Sequence, residues 1–473
     1  MTHPQQPDVG IKTAVDVANR ALERVPAYSK FLQQNGIDVT GIDADTFGNL
    51  PPMMKDNYLQ VFPRPEQVWD GKLGDVVNWS ASSGSTGEPS YWPRSRRSLY
   101  DSIDFHERIL RDSFDAHTQT TLVVNTFAMG NWIGGTYTLL AINGTNDLNM
   151  PVSIISPGIK IDEAARAIKE LGRDYDQVIV AGYPPKVRDV LNQVPADVIA
   201  GLTVKLLLAG ERITERWRTE MLRRINRSDD PRSITLIYGT ADAGMMGFET
   251  PASIAIRRAA DDDDEFARTL FGDKVTWLPT LACYNPVTRY IETDEDGFLL
   301  FTVDSTLPLV RYRIKDYGAL FDAERLCHIL TSCGKTELVE HVSPTSHFVS
   351  VAGRQDVELT LSGLNIYREN LIAALMDPRV FDLVTEQFYV PEPEQEDLTQ
   401  RFVIDVELAL GVAPSDELRD TLTNVFVETL RSVNGEYNTQ YQQDPEGSTP
   451  DVVITEYERR AEFGIKRKIA ETR

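Results

Sequence analysis

Apolar residues recur at helical spacing from the start of the chain, with Ile11, Val15, Ala18 and Leu22 on one face, and Val25-Pro26 ends or kinks that helix. From about residue 120 to 245 the pattern changes to short unbroken apolar runs separated by amphipathic stretches. Thr121–Val124, Val152–Ile155, Gln177–Val180, Val204–Leu208 and Ser233–Ile237 read as strands, with helices at Ile161–Ile168, Val187–Leu191 and Trp217–Ile225 between them. Strand-length runs without polar alternation predict burial on both faces, hence a mainly parallel sheet with helices outside. Ligands of such sheets sit beyond the carboxyl ends of the strands. The turns there, Ala181–Pro184, Ala209–Arg212 and Tyr238–Asp242, are polar or glycine-bearing, as ligand-lining turns should be.

After Gly297 the character shifts again. Phe298–Val303 and Leu309–Arg313 read as antiparallel strands around Asp304-Ser305-Thr306, a β-rich subdomain. From Gly353 a shorter mixed segment follows, with Phe402–Val406 as a strand and Glu417–Leu430 as a helix. The predicted fold is therefore α/β: a large N-terminal domain (1–352) with mainly parallel sheets flanked by helices plus the β-rich subdomain, and a small α+β C-terminal domain (353–473).

Length and charge narrow the function classes. At 473 residues one ordinary core is too small, so two or three domains are expected. A net charge of −23 argues against nucleic-acid or anionic-membrane surfaces but leaves room for an anion in a locally basic pocket. No apolar run approaches the roughly 20 residues that span a bilayer. Three cysteines make no disulfide framework, and Met1–Gln6 has no signal-peptide character, so a cytoplasmic setting is expected. The acidic run Asp261–Glu265 reads as a solvated loop rather than a metal site.

Ser82-Ser83-Gly84-Ser85-Thr86-Gly87-Glu88-Pro89, preceded by strand-like Val76–Trp79, combines backbone freedom with free N–H groups and hydroxyls. That composition can wrap a phosphate as a nest of donors, or serve as a flexible linker. It lacks the Gly-Lys-Ser/Thr ending of a P-loop.

The order of motifs along most of the chain resembles the adenylate-forming acyl ligases, and specifically their phenylacetate–CoA ligase branch. Arg24–Tyr28 and Leu50–Asp56 are similar to that branch's NVPFY and LPFTTKDD segments, and Ser82–Pro89 to its phosphate loop. Ala209-Gly210-Glu211 is similar to the adenine-side turn, and Tyr238–Asp242 to the YG-x-x-E motif. Leu307–Asp316 resembles LPVIRYRTRD. Gly353–Asp356 followed by Ser362–Tyr367 resembles GRSDD…RGVNVFP, and Gly464–Lys468 the C-terminal GK region.

The resemblance implies that a carboxylate attacks the α-phosphate of ATP, giving an acyl-adenylate and pyrophosphate, and that the acyl group then passes to a thiol, most often that of CoA. It implies roles for Ser82, Ser83, Gly84, Ser85, Thr86 and Gly87 around the β- and γ-phosphates and for Gly210, Glu211, Tyr238, Gly239 and Thr240 around the nucleotide. Asp316 would hold the ribose hydroxyls, Asp242 would ligate Mg²⁺, and Arg354 would reach the ribose or α-phosphate. Phe127, Met129, Trp132 and Tyr183 would line an acid pocket suited to an aryl or hydrophobic acid. Asp356 would be the hinge about which the C-terminal domain rotates, and a homodimer stays open.

Three positions depart from the family pattern. Glu88 stands where Lys is usual, Asp242 where Glu is usual, and Ile465 directly after Gly464, leaving Lys466 or Lys468 as the catalytic cation. Ser332–Lys335 is similar to a zinc-binding CPCGR element, but Cys327, His328, Cys333 and His341 or His347 lack a clean CxxC pair, which favours a lost metal site. The alternatives kept open are transfer to an amine, a carrier protein or a protein cysteine, and a degenerate nucleotide-binding member without full activity.

Overall fold

The computed structural model describes residues 9–38, 40–82, 90–272, 278–354, 357–361, 364–391, 393, 399–409 and 411–457. They form two compact units, one within 1–81 and 91–354, the other within 82–90 and 355–473.

In chain order the strands of the larger unit are β1 (Val76–Ser82), β2 (Ser90–Ser95), β3 (Thr121–Asn125), β4 (Val152–Ile155), β5 (Gln177–Gly182), β6 (Val204–Ala209) and β7 (Ile234–Thr240). They continue with β8 (Gly244–Phe248), β9 (Thr280–Tyr284), β10 (Tyr290–Thr293), β11 (Phe298–Val303), β12 (Leu309–Asp322) and β13 (His347–Arg354). β1 and β2 pair with each other, and the rest form one sheet ordered β10-β11-β12-β13-β9-β8-β7-β6-β5-β3-β4. β4, β3, β5, β6 and β7 run parallel. Every residue of β3 and β5 is buried, which is why their sequences show no polar alternation. Helices Ile161–Leu171, Pro184–Gln193 and Glu215–Arg224 supply the connections.

The remaining strands pair antiparallel, and this β-rich part joins the parallel part through Phe248 opposite Cys283. Sequence pattern alone passes over β8 and β9, since neither Gly244–Phe248 nor Thr280–Tyr284 carries a turn signal or alternation. The acidic run is also more ordered than a loop: Asp261 ends one helix, and the Asp263 side chain caps Asp264–Phe271 by accepting from the Phe266 N–H (3.0 Å). At the start, Val25-Pro26 separates helices Ile11–Arg24 and Pro26–Gln34, with Pro26 at the first position where its missing N–H costs nothing.

The smaller unit holds a hairpin of β14 (Val357–Leu361) with β15 (Leu364–Tyr367), and a three-stranded sheet of β16 (Val384–Tyr389), β17 (Val403–Leu408) and β18 (Asp451–Thr455). Helix Asp416–Val433, capped by Ser415, buries Leu422, Phe426 and Leu430 against Ile366, Phe388 and Ile404. The fold is mixed α/β, with a large central sheet flanked by helices, a β-rich region and an α+β C-terminal region. No described helix is long and apolar enough to cross a membrane.

Candidate active site

β12 shows how sequence builds the site. Val310, Tyr312, Ile314 and Asp316 alternate inward and are buried, while Arg311, Arg313 and Lys315 point outward or lie half-buried. Asp316 is thus a carboxylate at a position where the strand calls for an apolar side chain. It is 5% exposed, and the Tyr238 hydroxyl at the end of β7 donates to its Oδ2 at 2.5 Å. Four residues earlier, the buried Tyr312 hydroxyl donates to Asp242 Oδ2 at 2.7 Å. Two residues of this strand, Arg311 and Lys315, hold left-handed φ of 49° and 68°. For side chains other than glycine this stores strain of order 1 kcal/mol each, which the surroundings must hold in place. For Arg311 they do so through Glu292, the Leu50 carbonyl and a 2.9 Å bond from its N–H to Thr302 Oγ1.

The same anchoring delivers a residue to which the sequence analysis gave no role. The Arg313 N–H donates to the Met53 carbonyl (2.9 Å), fixing the segment that leads into Lys55, whose Nζ lies 3.7 Å from Asp242 Oδ2. Asp242 Oδ1 receives no hydrogen bond among the described residues. Asp242, 6% exposed, therefore offers one committed and one open carboxylate oxygen, which suits a hard cation completed by phosphate oxygens and water. Tyr312 and Lys55 sit inside motifs that the sequence analysis quoted, and Tyr312 carried a visible signal as an inward polar tip on an alternating strand.

Tyr238, Gly239 and Thr240 are the last residues of β7 rather than a turn, and the turn proper is Ala241–Ala243, pinned by the Ala243 N–H to Thr240 Oγ1 (2.9 Å). A break in register between Tyr238 and Gly239 reorients the strand end. Gly210, just after β6, has φ of 88°, and a Cβ there would stand 2.7 Å from the Tyr183 ring, so both conformation and space require glycine. Glu211 follows in the same turn. Tyr183 in turn meets Phe127 edge-on, with ring centroids 5.1 Å apart. Phe127 is buried, while Met129 and Trp132 are half-buried. Trp132 bridges in parallel to Ala81, and the Ala81 N–H donates to the Asn131 carbonyl (2.7 Å), tying the Phe127–Trp132 loop to β1.

Ser82 is the final residue of β1, and Arg354 ends β13 directly opposite Asp316 in register. Ser83, Gly84, Ser85, Thr86, Gly87, Glu88, Asp356, Lys466 and Lys468 lie outside the described residues. Cys327 and His328 share helix Ala323–Ser332, with Cys333 just after it, and all three cysteines are free. Among the described residues no group of three or more His, Cys, Asp or Glu is gathered as a metal site.

No family model matches the chain, and no curated protein does. Solved structures do. A 2-hydroxyisobutyryl-CoA ligase crystallised with 2-HIB-AMP and CoA in the thioesterification state matches with a TM-score of 0.60 at 14% identity, covering 98% of this chain and 91% of that one. An open conformation of the same ligase with 2-HIB-AMP and CoA matches at 0.52 and 14%, covering 95% and 88%. A post-adenylation state with 2-HIB-AMP gives 0.52 at 13%, covering 99% and 93%. At such identity the likeness is one of fold, shared with this CoA ligase over nearly the whole chain.

Proposed function

We propose that the protein is an AMP-forming acid–thiol ligase that adenylates a carboxylic acid with ATP and passes the acyl group to a thiol, CoA by preference. The observation that carries this reading is the Tyr238–Asp316 hydrogen bond at the carboxyl end of β7, with Asp242 two residues beyond the strand. An aromatic face, a buried acceptor-only carboxylate and a carboxylate with an open oxygen are what adenine, ribose and a metal-bound polyphosphate need.

Anion attacking anion requires charge neutralisation and alignment more than covalent help. Asp316 would accept from the ribose hydroxyls, Tyr238 would lie against the adenine, and Ser82–Gly87 would surround the β- and γ-phosphates. Mg²⁺ held at Asp242 Oδ1 would supply charge neutralisation at the phosphates. Arg354, adjacent to Asp316 in the sheet, would reach the ribose or α-phosphate, and Lys466 or Lys468 would furnish the cation of the adenylation step. Rotation of residues from about 353 onward, hinged at Asp356, would then clear that space for the thiol. The edge-on Phe127–Tyr183 pair supports an apolar wall on the acid side.

Pyrophosphate release with a panel of acids, followed by thioester formation with CoA, tests the reading. Asp316→Ala is expected to weaken ATP binding in calorimetry by on the order of 1.5–3 kcal/mol for each lost charge-assisted bond. Unchanged affinity would remove the ribose assignment, and no pyrophosphate with any acid would remove the enzyme.

A further inference from the structure

Two cations act on Asp242, and they differ in freedom. Arg94, at the end of β2, is 3% exposed. Its Nη2 donates to the Ala241 carbonyl, and its Nε lies 3.4 Å from Ser80 Oγ. Burial pushes this guanidinium below the usual arginine range, and Tyr137 and Asp242 offset that only in part. It forms no ion pair among the described residues. Arg94, Ser98, Asp101, Ser102 and Arg289 line a cavity of about 20 Å³, room for a single water. Arg289 is aimed there by the Met245 carbonyl (2.9 Å from Nε) and the Thr288 carbonyl (2.8 Å from Nη1). Arg94 is therefore a fixed charge, with no space beside it for a ligand larger than water.

Lys55 is held differently. Its Nζ stands 3.7 Å from Asp242 Oδ2, well beyond the roughly 2.7–2.9 Å of a charge-assisted hydrogen bond. The Tyr312 hydroxyl already donates to that oxygen at 2.7 Å. The Lys55 side chain is 29% exposed against 7% for Asp242, which is its one ion-pair partner among the described residues. The main chain around it is fixed. The Arg313 N–H holds the Met53 carbonyl (2.9 Å), and Asn57 accepts from the Met54 N–H (2.7 Å) while donating to the Pro52 carbonyl (3.0 Å). What can move is the flexible four-carbon stem and its ammonium.

We infer that Lys55 is an exchangeable counter-ion of Asp242: it neutralises the carboxylate while nucleotide is absent, and passes to the phosphates when Mg²⁺ enters at Oδ1. The second half rests on the ligase reading above. A carboxylate 6% exposed is costly to leave uncompensated, so a cation that leaves it must be replaced. Tyr312 occupies Oδ2, which leaves Oδ1 to the replacement, and an oxygen donor of this kind suits a hard divalent cation. The divalent charge then repels the neighbouring ammonium. Lys55, with a loose contact and an exposed stem, swings to the polyphosphate that arrives with the metal. Arg94 cannot make this exchange, because Ala241 and Ser80 hold its guanidinium in place. Lys55 would thus keep the empty site charge-balanced and add a cation to the occupied one.

Melting curves without nucleotide test the first half. Lys55→Met leaves Asp242 short of a cation, so millimolar Mg²⁺ is expected to raise the melting temperature of this variant by about 2 °C more than that of the wild type at matched ionic strength. Adding Asp242→Asn to Lys55→Met removes the carboxylate and should abolish that response. Lys55→Gln repeats the measurement if Lys55→Met does not fold. Calorimetry with ATP and Mg²⁺, no acid present, tests the second half. Lys55→Met should bind about tenfold more weakly, as the loss of one charge contact implies, and Lys55→Arg should recover part of the affinity. Equal Mg²⁺ responses in wild type and Lys55→Met would overturn the counter-ion role. A response confined to Lys55→Met, with ATP affinity unchanged, would overturn the exchange and leave Lys55 a fixed partner of Asp242. ATP that binds neither protein would sink the ligase reading and the exchange with it, while the Mg²⁺ response would still decide the counter-ion role.

Discussion

Two sets of buried arginines divide the larger unit. Under β7, Arg218 is fully buried and gives Nη2 to both oxygens of Glu249 (2.7 and 2.8 Å), Nε to Glu215 (3.0 Å) and Nη1 to the Ile234 carbonyl (2.7 Å). Arg257 adds bonds to Glu215, the Pro279 carbonyl (2.9 Å) and the Ile213 carbonyl, and Arg258 reaches Glu215 from outside at 3.8 Å. Arg94 and Arg289 are anchored by backbone carbonyls and, for Arg94, the Ser80 hydroxyl, with no carboxylate partner among the described residues. In the first set Arg218 and Arg257 are matched by Glu249 and Glu215, which locks helices Glu215–Arg224 and Pro251–Asp261 to the sheet, while the half-exposed Arg258 adds a longer-range contact. The second is anchored but incomplete.

The largest expected effect breaks the closed set. Arg218→Leu leaves Glu249 and Glu215 buried with their main partner gone, and loss of one member of a buried ion network costs about 3–5 kcal/mol. Urea unfolding is the measurement, with Arg289→Gln beside it losing about 1 kcal/mol or less, since only two carbonyl bonds go. Equal losses would erase the contrast between the two sets.

A somewhat smaller effect tests the helix that lines the open set. Ser98, Asp101 and Ser102 on Arg96–Asp112 face the cavity, and one turn after Ser102 the fully buried His106 donates from Nδ1 to the Ser102 carbonyl at 2.8 Å. Its Nε2 has no hydrogen-bond partner among the described residues, and burial pushes its pKa down to about 4 from 6.5. The folded pKa lies below the unfolded one, so the unfolded chain binds the proton first. Stability is complete above about pH 6.5 and falls as pH drops towards 4, by on the order of 3 kcal/mol in all. His106→Phe should flatten that slope in unfolding free energies measured between pH 7 and 4, and an unchanged slope would assign the acid sensitivity elsewhere.

The two sets also differ in how legible they were. The parallel strands announce themselves because β3 and β5 are apolar throughout, and Asp316 does so because it interrupts the inward alternation of β12. Arg94 and Arg289 carry no such mark. Each is one arginine near a loop, and only the folding of residues 94, 241–245 and 289 onto one another shows that they share a space. Lys55 is invisible for the same reason, since what brings it to Asp242 is the anchoring of Leu50 and Met53 on β12. The reading of an acid pocket rested on Phe127, Met129, Trp132 and Tyr183, of which Phe127 and Tyr183 meet edge-on and Tyr183 lies against Gly210.

The smallest expected effect sharpens the comparison inside the proposed nucleotide site. The Tyr238 hydroxyl occupies Asp316 Oδ2, so this carboxylate is partly satisfied without ligand, between the closed and the open sets in character. Tyr238→Phe removes that bond while keeping the ring, and should cost about 1–2 kcal/mol of stability, as a hydrogen bond to a charged group does. Nucleotide affinity should change by no more than a few-fold, because the oxygen released is then available to the ribose and the aromatic face is intact. Tyr238→Ala should instead weaken ATP binding clearly, since it removes the face as well. Calorimetry of the two variants decides: if Phe and Ala weaken ATP equally, the hydroxyl rather than the ring meets the nucleotide, and Asp316 is reached through Tyr238 instead of by the ribose directly.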